Sequence, residues 1–172
     1  MLKLTLFIAV LMLVADAYVR LAPSDPQQFN TIPGDFTGQA GYVALKGGAI
    51  WESAVIEATA EDGLAALQDV ALATPRTKLL AGSVEAGKLT FITRSAIFGF
   101  PDYTTIMARP QDGGSQVRIY ARLRFGTSDL GVNRARISAW VPALQRFAER
   151  GGDASLTGLA PHGDVQRHFA AR

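Results

Sequence analysis

The stretch QVRIYARLRF, residues 116–125, has the clearest pattern in the chain and predicts a β-strand. Apolar and polar side chains alternate along it, and successive side chains of a strand point to opposite faces of a sheet. One face carries Val117, Ile119, Ala121, Leu123 and Phe125, and the other carries Arg118, Tyr120, Arg122 and Arg124. We expect the first face to pack on a core and the second to present three arginines and a tyrosine.

Further strands are predicted on the N-terminal side of this stretch. Residues 42–57 are rich in β-branched, aromatic and other apolar side chains around a pair of glycines. Residues 78–85 and 88–97 predict a hairpin, because only a short turn separates the two runs. Residues 103–108 predict one more strand, between two turns that contain glycine and aspartate.

Two helices are predicted among these strands. Thr59 and Asp62 have the spacing of a capping box and open the first helix. The second helix covers residues 133–150, with Asn133 as its N-cap. Pro142 lies inside this second helix and is expected to kink or divide it. The resulting order of elements is typical of an α+β fold with an antiparallel sheet and helices packed on one face.

Residues 1–21 are predicted to enter or cross a membrane. After Lys3, residues 4–15 contain one polar side chain, Thr5, and Asp16 ends the apolar run. The run is short beside the roughly 20 apolar residues that a membrane-spanning helix needs. The side chains expected to face lipid are those of Leu4, Phe7, Ile8, Leu11, Leu13 and Val14.

Two interpretations of this segment stay open. As a secretory signal, it has a positively charged start, a short apolar centre and a cleavage site after Ala17. As an uncleaved anchor, it continues through Leu21, with Tyr18 and Arg20 at the membrane interface. Both interpretations place Lys3 on the cytoplasmic side of the cytoplasmic membrane and the domain on the periplasmic side.

The rest of the chain is predicted to form one domain and a tail. A length of 172 residues with 48% hydrophobic and 19% charged residues is typical of a single globular domain. We place this α+β domain at residues 22–150. It begins with a segment rich in proline and glycine, residues 22–41, which favours an extended linker or a wrapping strand. Residues 151–172 are expected to form a flexible tail.

The composition of the chain excludes several kinds of covalent, metal and catalytic site. The chain has no cysteine, which excludes disulfides, thiolate metal sites and cysteine nucleophiles. Its two histidines, His162 and His168, both lie in the predicted tail, and no phosphate-binding or nucleophile-elbow motif is present. Asp102 and Asp129 lie in predicted turns, where an aspartate commonly bonds its own backbone. We therefore expect no cofactor and no enzymatic activity.

The small net charge of +2 hides an uneven distribution. Residues 1–87 contain five basic and nine acidic side chains, whereas residues 88–150 contain ten basic and four acidic ones. We expect the two halves to neutralise each other within one fold. A nucleic-acid partner is not expected, because the basic excess is modest and no recognition module is present.

The arginine row of residues 118, 122 and 124 is the most suggestive polar feature, and Arg94 is expected to project nearby from the hairpin. Arginines two residues apart on a strand point the same way and can grip an anionic group. The alternative is that they pair across strands with aspartate or glutamate on a solvated face. The pattern leaves both interpretations open.

Three stretches carry a resemblance to a known family: YVRLAPSDP at residues 18–26, GFPDY at 99–103, and RLRFGTSDLGVNR at 122–134. On these motifs the chain resembles the bacterial family called domain of unknown function 1499. The first stretch usually carries a tryptophan shortly after its Ser-Asp-Pro, where this chain has Phe29.

The resemblance implies a short, envelope-associated protein to which no reaction is assigned. It also favours the anchor over the cleaved signal, since the first matching stretch directly abuts the apolar run. The family supplies no catalytic residues. The candidate binding residues, taken from the matching motifs and the arginine row, are Arg94, Asp102, Arg122, Arg124, Asp129, Asn133 and Arg134.

Three hypotheses about function follow. The first is a non-enzymatic accessory or assembly protein, held in the cytoplasmic membrane through residues 1–21, facing the periplasm and docking on a larger membrane complex. The second is a periplasmic small-molecule or lipid-binding module with an arginine-lined anionic site. The third is an enzyme that uses Asp102 or Asp129 together with an arginine.

Overall fold

Six antiparallel strands form one sheet in the order β1-β2-β6-β5-β4-β3. The computed structural model describes residues 1–150, and the predicted tail, with its two histidines, lies outside the described residues. The elements are α1 (Leu2–Leu21), α2 (Pro26–Phe29), β1 (Gly41–Leu45), β2 (Gly48–Glu52), α3 (Ala60–Ala73), β3 (Thr77–Ser83), β4 (Lys88–Arg94), β5 (Pro101–Gln111), β6 (Gly114–Leu123) and α4 (Val132–Glu149). The predicted α+β fold is confirmed.

The core lies between one face of the sheet and the two long helices α3 and α4. The alternation predicted for residues 116–125 is confirmed for Val117, Ile119 and Ala121, which are fully buried on this face. The strand ends at Leu123, and the side chains of Leu123 and Phe125 are only half-buried. The ring of Trp140 on α4 meets that of Phe91 on β4 edge to face, with centroids 6.0 Å apart. Burial of these apolar side chains is the main force that holds the helices on the sheet.

The opposite face of the sheet is covered by the segment that follows α1. We call this segment, residues 22–39, the strap. Its chain runs across β5, β6 and β2, and hydrogen bonds from all three strands reach it. The predicted wrapping strand is therefore a covering layer, although it is not a β-strand.

One turn of helix, α2, interrupts the strap where the sequence predicts only extended chain. Asp25 caps it, because its Oδ1 accepts a hydrogen bond from the backbone N–H of Gln27 at 2.9 Å. Pro26 occupies the first helical position, where its fixed φ angle suits a helix and its missing N–H costs nothing. The Ser-Asp-Pro motif is thus a helix start.

Two details of α4 differ from the prediction. Gly131, in the left-handed region at φ 82°, is the N-cap, and Asn133 lies inside the helix and is fully buried. The helix is also continuous through Pro142. Side chains on both sides of the proline, including Trp140 and Leu144, are buried against the core. This packing offsets the loss of one helical hydrogen bond.

Candidate functional site

The three arginines of the arginine row donate hydrogen bonds to backbone carbonyls of the strap. Arg118 Nη1 donates a hydrogen bond to the backbone carbonyl of Gly34 at 2.9 Å, and Arg124 Nη1 donates to that of Ala22 at 3.2 Å. Arg122 Nη2 donates to the carbonyl of Phe29. All three guanidinium groups therefore bind main-chain oxygens of their own chain, and burial lowers the pKa of Arg122.

Aromatic rings complete the contact between strap and sheet. Phe29 stacks on Tyr103 of β5, with ring centroids 3.9 Å apart and planes inclined by 12°. The Tyr103 hydroxyl shares a hydrogen bond of 2.8 Å with Ser24 and accepts another from Arg124 at 3.2 Å. Phe29 thus provides an aromatic contact between the strap and the sheet.

Arg118 also makes the cross-strand ion pair that the sequence left open. Its Nε lies 3.2 Å from Oε1 of Glu52, its register partner on β2, and both side chains are buried. Glu52 in turn accepts hydrogen bonds from the backbone N–H and the hydroxyl of Thr37 in the strap. A buried ion pair needs such extra partners to offset the cost of desolvation.

A second polar cluster lies on the helix-covered face, where β5 meets the start of α4. Arg136 Nη2 is 3.2 Å from Oδ2 of Asp102, and Arg136 Nη1 donates to the side-chain oxygen of Asn133. Asp129 accepts the backbone N–H of Asn133 at 2.9 Å and that of Gly131 at 3.2 Å. The cluster thus connects a strand, a loop and a helix through one buried guanidinium.

The two carboxylates of this cluster have opposite shifts in pKa. Burial raises the pKa of Asp102, and the attraction of Arg136 only partly opposes it. Burial also disfavours ionisation of Asp129, but the N–H groups of Asn133 and Gly131 prevail and hold its pKa below the ordinary value. Asp102 and Asp129 both border an apolar cleft of about 350 Å³.

The sequence-predicted site residues therefore fall into separate places. Arg122 and Arg124 lie under the strap, while Asp102, Asp129 and Asn133 lie in the cluster at α4. Arg94 donates to the carbonyl of Gly99 at 2.9 Å and fixes the turn before β5. Arg134 lies over the Tyr42 ring, 5.2 Å from its centroid, on the exposed side of α4. Their role in binding stays a prediction.

Arg136 is the central residue that sequence reasoning missed. The apolar stripe of α4 continues toward its N-terminus at the same helical spacing, and Asn133 and Arg136 occupy those positions. Extending the predicted apolar stripe of α4 by one turn toward its N-terminus would have identified Asn133 and Arg136 as buried polar residues. Within residues 1–150, no group of three or more histidine or acidic side chains is placed to hold a metal ion.

The chain is thus an α+β protein with an N-terminal apolar helix, in which helices cover one face of the sheet and the strap covers the central strands on the other. Helix α1, with 20 residues and a mean hydropathy of 2.0, is long and apolar enough to be a membrane anchor or a signal sequence. A family model described as a protein of unknown function (DUF1499) matches residues 19–144. The chain belongs to this family, as its motifs indicate. No curated protein matches the chain.

Replacing Arg122 with methionine is expected to loosen the strap. The substitution leaves the Phe29 carbonyl without its charged donor, and such a bond contributes about 2 kcal/mol. We expect a loss of that size in urea unfolding, together with faster hydrogen exchange of the strap amides. Arg134→Met, on the exposed side of α4, is the matched control. Equal effects from both variants would show that the strap does not depend on Arg122.

Replacing Asp129 with asparagine is expected to destabilise the protein by about 1 kcal/mol at neutral pH, as for loss of a helix cap. Since the folded-state pKa of Asp129 lies below its ordinary value of 3.8, the stabilisation is full above pH 3.8 and is lost as the pH falls through the lower folded value.

The free energies of unfolding of wild type and this variant should therefore converge below pH 3.8. Asp112→Asn, in the exposed turn between β5 and β6, serves as the control. A difference between wild type and Asp129→Asn that stays constant down to the acid limit contradicts the assigned role of the carboxylate.

Proposed function

We propose that this chain is a membrane-anchored, periplasm-facing accessory protein that docks on a larger membrane complex and catalyses no reaction itself. The observation that carries the proposal is the continuity of α1 with the strap. Helix α1 has no buried residue, and at Ala22 the chain passes directly into the layer that covers the sheet. A domain joined in this way is held close to the membrane and not at the end of a loose tether.

Retention of α1 is favoured by the contacts around its last turn. Arg20 pairs with Asp16 at 2.7 Å, across the predicted cleavage site after Ala17, and donates to the backbone carbonyl of Ile97 at 2.6 Å. The ring of Tyr18 meets that of Phe125 with centroids 6.0 Å apart. These contacts support an anchor whose outer end belongs to the folded domain.

The orientation follows from the charge at the start of α1. Lys3 precedes the apolar run, and positively charged flanks favour the cytoplasmic side. We expect Asp112→Cys to react with a membrane-impermeant maleimide in intact cells as fully as in broken ones. The chain has no other cysteine, so the label reports this position alone. Reaction only after the cytoplasmic membrane is opened contradicts a periplasmic domain.

Docking on a protein partner is supported by the contrast between the two edges of the sheet. Edge strand β3 carries Lys78 and a bulge between Leu79 and Ala81, both of which discourage pairing with another chain. Edge strand β1 has neither protection: all five of its residues, with the sequence GYVAL, are exposed and uncharged. An extended segment of a membrane-protein partner can add to such an edge by main-chain hydrogen bonds.

The two other hypotheses have less support. An anionic ligand at the arginine row would have to displace strap carbonyls from three guanidinium groups. The carboxylates of Asp102 and Asp129 are likewise engaged, the first by Arg136 and the second by backbone N–H groups. A catalytic role would require one of these partners to be released.

Replacing Val43 on β1 with lysine is expected to abolish partner binding while leaving the fold intact, because a charged side chain on an edge strand opposes addition of another strand. The measurement is native mass spectrometry of the full chain extracted from its own membranes in mild detergent. We expect a stoichiometric partner subunit with the wild type, and its loss with Val43→Lys.

Leu79→Lys, on the protected edge β3, is the matched control and should retain the partner. The unfolding midpoints of both variants should equal that of the wild type. Wild-type protein that is extracted from the membrane without a partner subunit contradicts the accessory role. A partner retained by Val43→Lys contradicts docking at β1.

A further inference from the structure

An exposed apolar patch lies beside the outer end of α1. It consists of Ile97, Phe98 and Phe100 in the loop between β4 and β5, together with Leu130 in the loop before α4. Ile97 is 73% exposed, Phe98 56% and Leu130 84%. Large apolar side chains clustered in this way on a folded domain are unusual and mark an interaction surface. We call these four residues the loop patch.

Contacts join the loop patch to α1. The carbonyl of Ile97 accepts the hydrogen bond from Arg20. Aromatic rings continue the connection in steps: Tyr18 contacts Phe125, Phe125 lies 6.4 Å from Phe100, and Phe100 lies 6.0 Å from Phe98 between ring centroids. Ile97, Phe98 and Phe100 are therefore fixed at the level of the last turn of α1, and Leu130 borders the same cleft as Phe100 and Phe125.

The length of α1 sets the depth of the patch. Its 20 residues span about 30 Å, which is the thickness of the hydrocarbon core of a bilayer. With α1 across the membrane, Tyr18 and Arg20 lie at the interface, where aromatic and basic side chains are favoured. Residues in contact with them lie at the same depth.

The backbone conformation of Leu130 also supports an interaction surface at this place. Leu130 adopts a positive φ angle of 52°, which costs free energy for any residue with a Cβ, and its side chain is still left in the open. Gly131 follows with φ 82°. Within residues 1–150 no side chain covers this leucine, so the strained position presents an apolar side chain at the surface.

We propose that the loop patch inserts into the bilayer interface beside α1, so that the domain is docked on lipid as well as anchored by the helix. The partner is a lipid surface because the patch is apolar, lies at interfacial depth and is continuous with an apolar helix. The proposal rests on the retention of α1 put forward above. Docking would also fix the direction in which β1 is presented.

The test uses the full chain reconstituted in vesicles of phosphatidylcholine and phosphatidylglycerol. Phe98→Cys receives an environment-sensitive nitrobenzoxadiazole label, and the vesicles contain phosphatidylcholine with a doxyl spin label near its headgroup. We expect a blue shift of the label's emission and a loss of its intensity to the spin label. Asp112→Cys, in the exposed turn between β5 and β6, is the matched control and should show neither change.

A third labelled variant, Leu11→Cys in the middle of α1, is measured in vesicles whose doxyl label lies near the end of the acyl chain, since position 11 lies at the bilayer centre, and it separates the two proposals. Quenching at positions 11 and 98, but not at 112, supports the loop patch as a membrane contact. Quenching at position 11 alone overturns the loop patch and leaves the anchor in place. No quenching at either position overturns both. Ile97→Cys repeats the measurement on a second residue of the patch, so that a local effect of replacing Phe98 cannot decide the result.

Discussion

The fold depends on the match between three arginines, two on β6 and one directly after it, and the backbone carbonyls of the strap. A buried guanidinium group is costly unless acceptors replace the water that it loses. Arg118, Arg122 and Arg124 find these acceptors in Gly34, Phe29 and Ala22. The strap is consequently an integral part of the domain, and it covers the central strands on the face of the sheet that lacks helices. Because the strap directly follows α1, it also joins α1 to the domain.

The long helices and the strands were predictable because they depend on periodicity and local signals, whereas the single turn α2 was not predicted. The alternation in β6, the capping box before α3 and the apolar stripe of α4 all act within a few residues along the chain. The position of the strap was not predictable in the same way. Its acceptors are main-chain oxygens, which every residue possesses, so no side-chain pattern marks them. For this reason the sequence of Arg122 and Arg124 suggests a ligand site, and their contacts with the strap carbonyls are visible only in the fold.

The start of α4 shows how tertiary contacts override a local preference. Asparagine is a favoured N-cap, which makes Asn133 the natural choice from sequence. The buried guanidinium of Arg136 instead draws Asn133 into the helix, where its side chain accepts a hydrogen bond, and Asp129 bonds the free N–H groups. Arg136 itself is shared between Asn133 and Asp102 of β5. The candidate residues Asp102, Asp129 and Asn133 were identified from motifs, whereas the arginine that joins them was not.

The strap also imposes an order of events on biosynthesis. Its contacts with Arg122 and Arg124 join residues that are 93 and 102 positions apart in the sequence. The strap is therefore synthesised early but is among the last segments to reach its place in the fold. Contacts of such long range slow folding, because loop-closure entropy must be overcome before they form. Until β6 has been synthesised, the strap has no strand to which it can bind. A premature stop before β6 therefore leaves both the strap and the sheet unfinished.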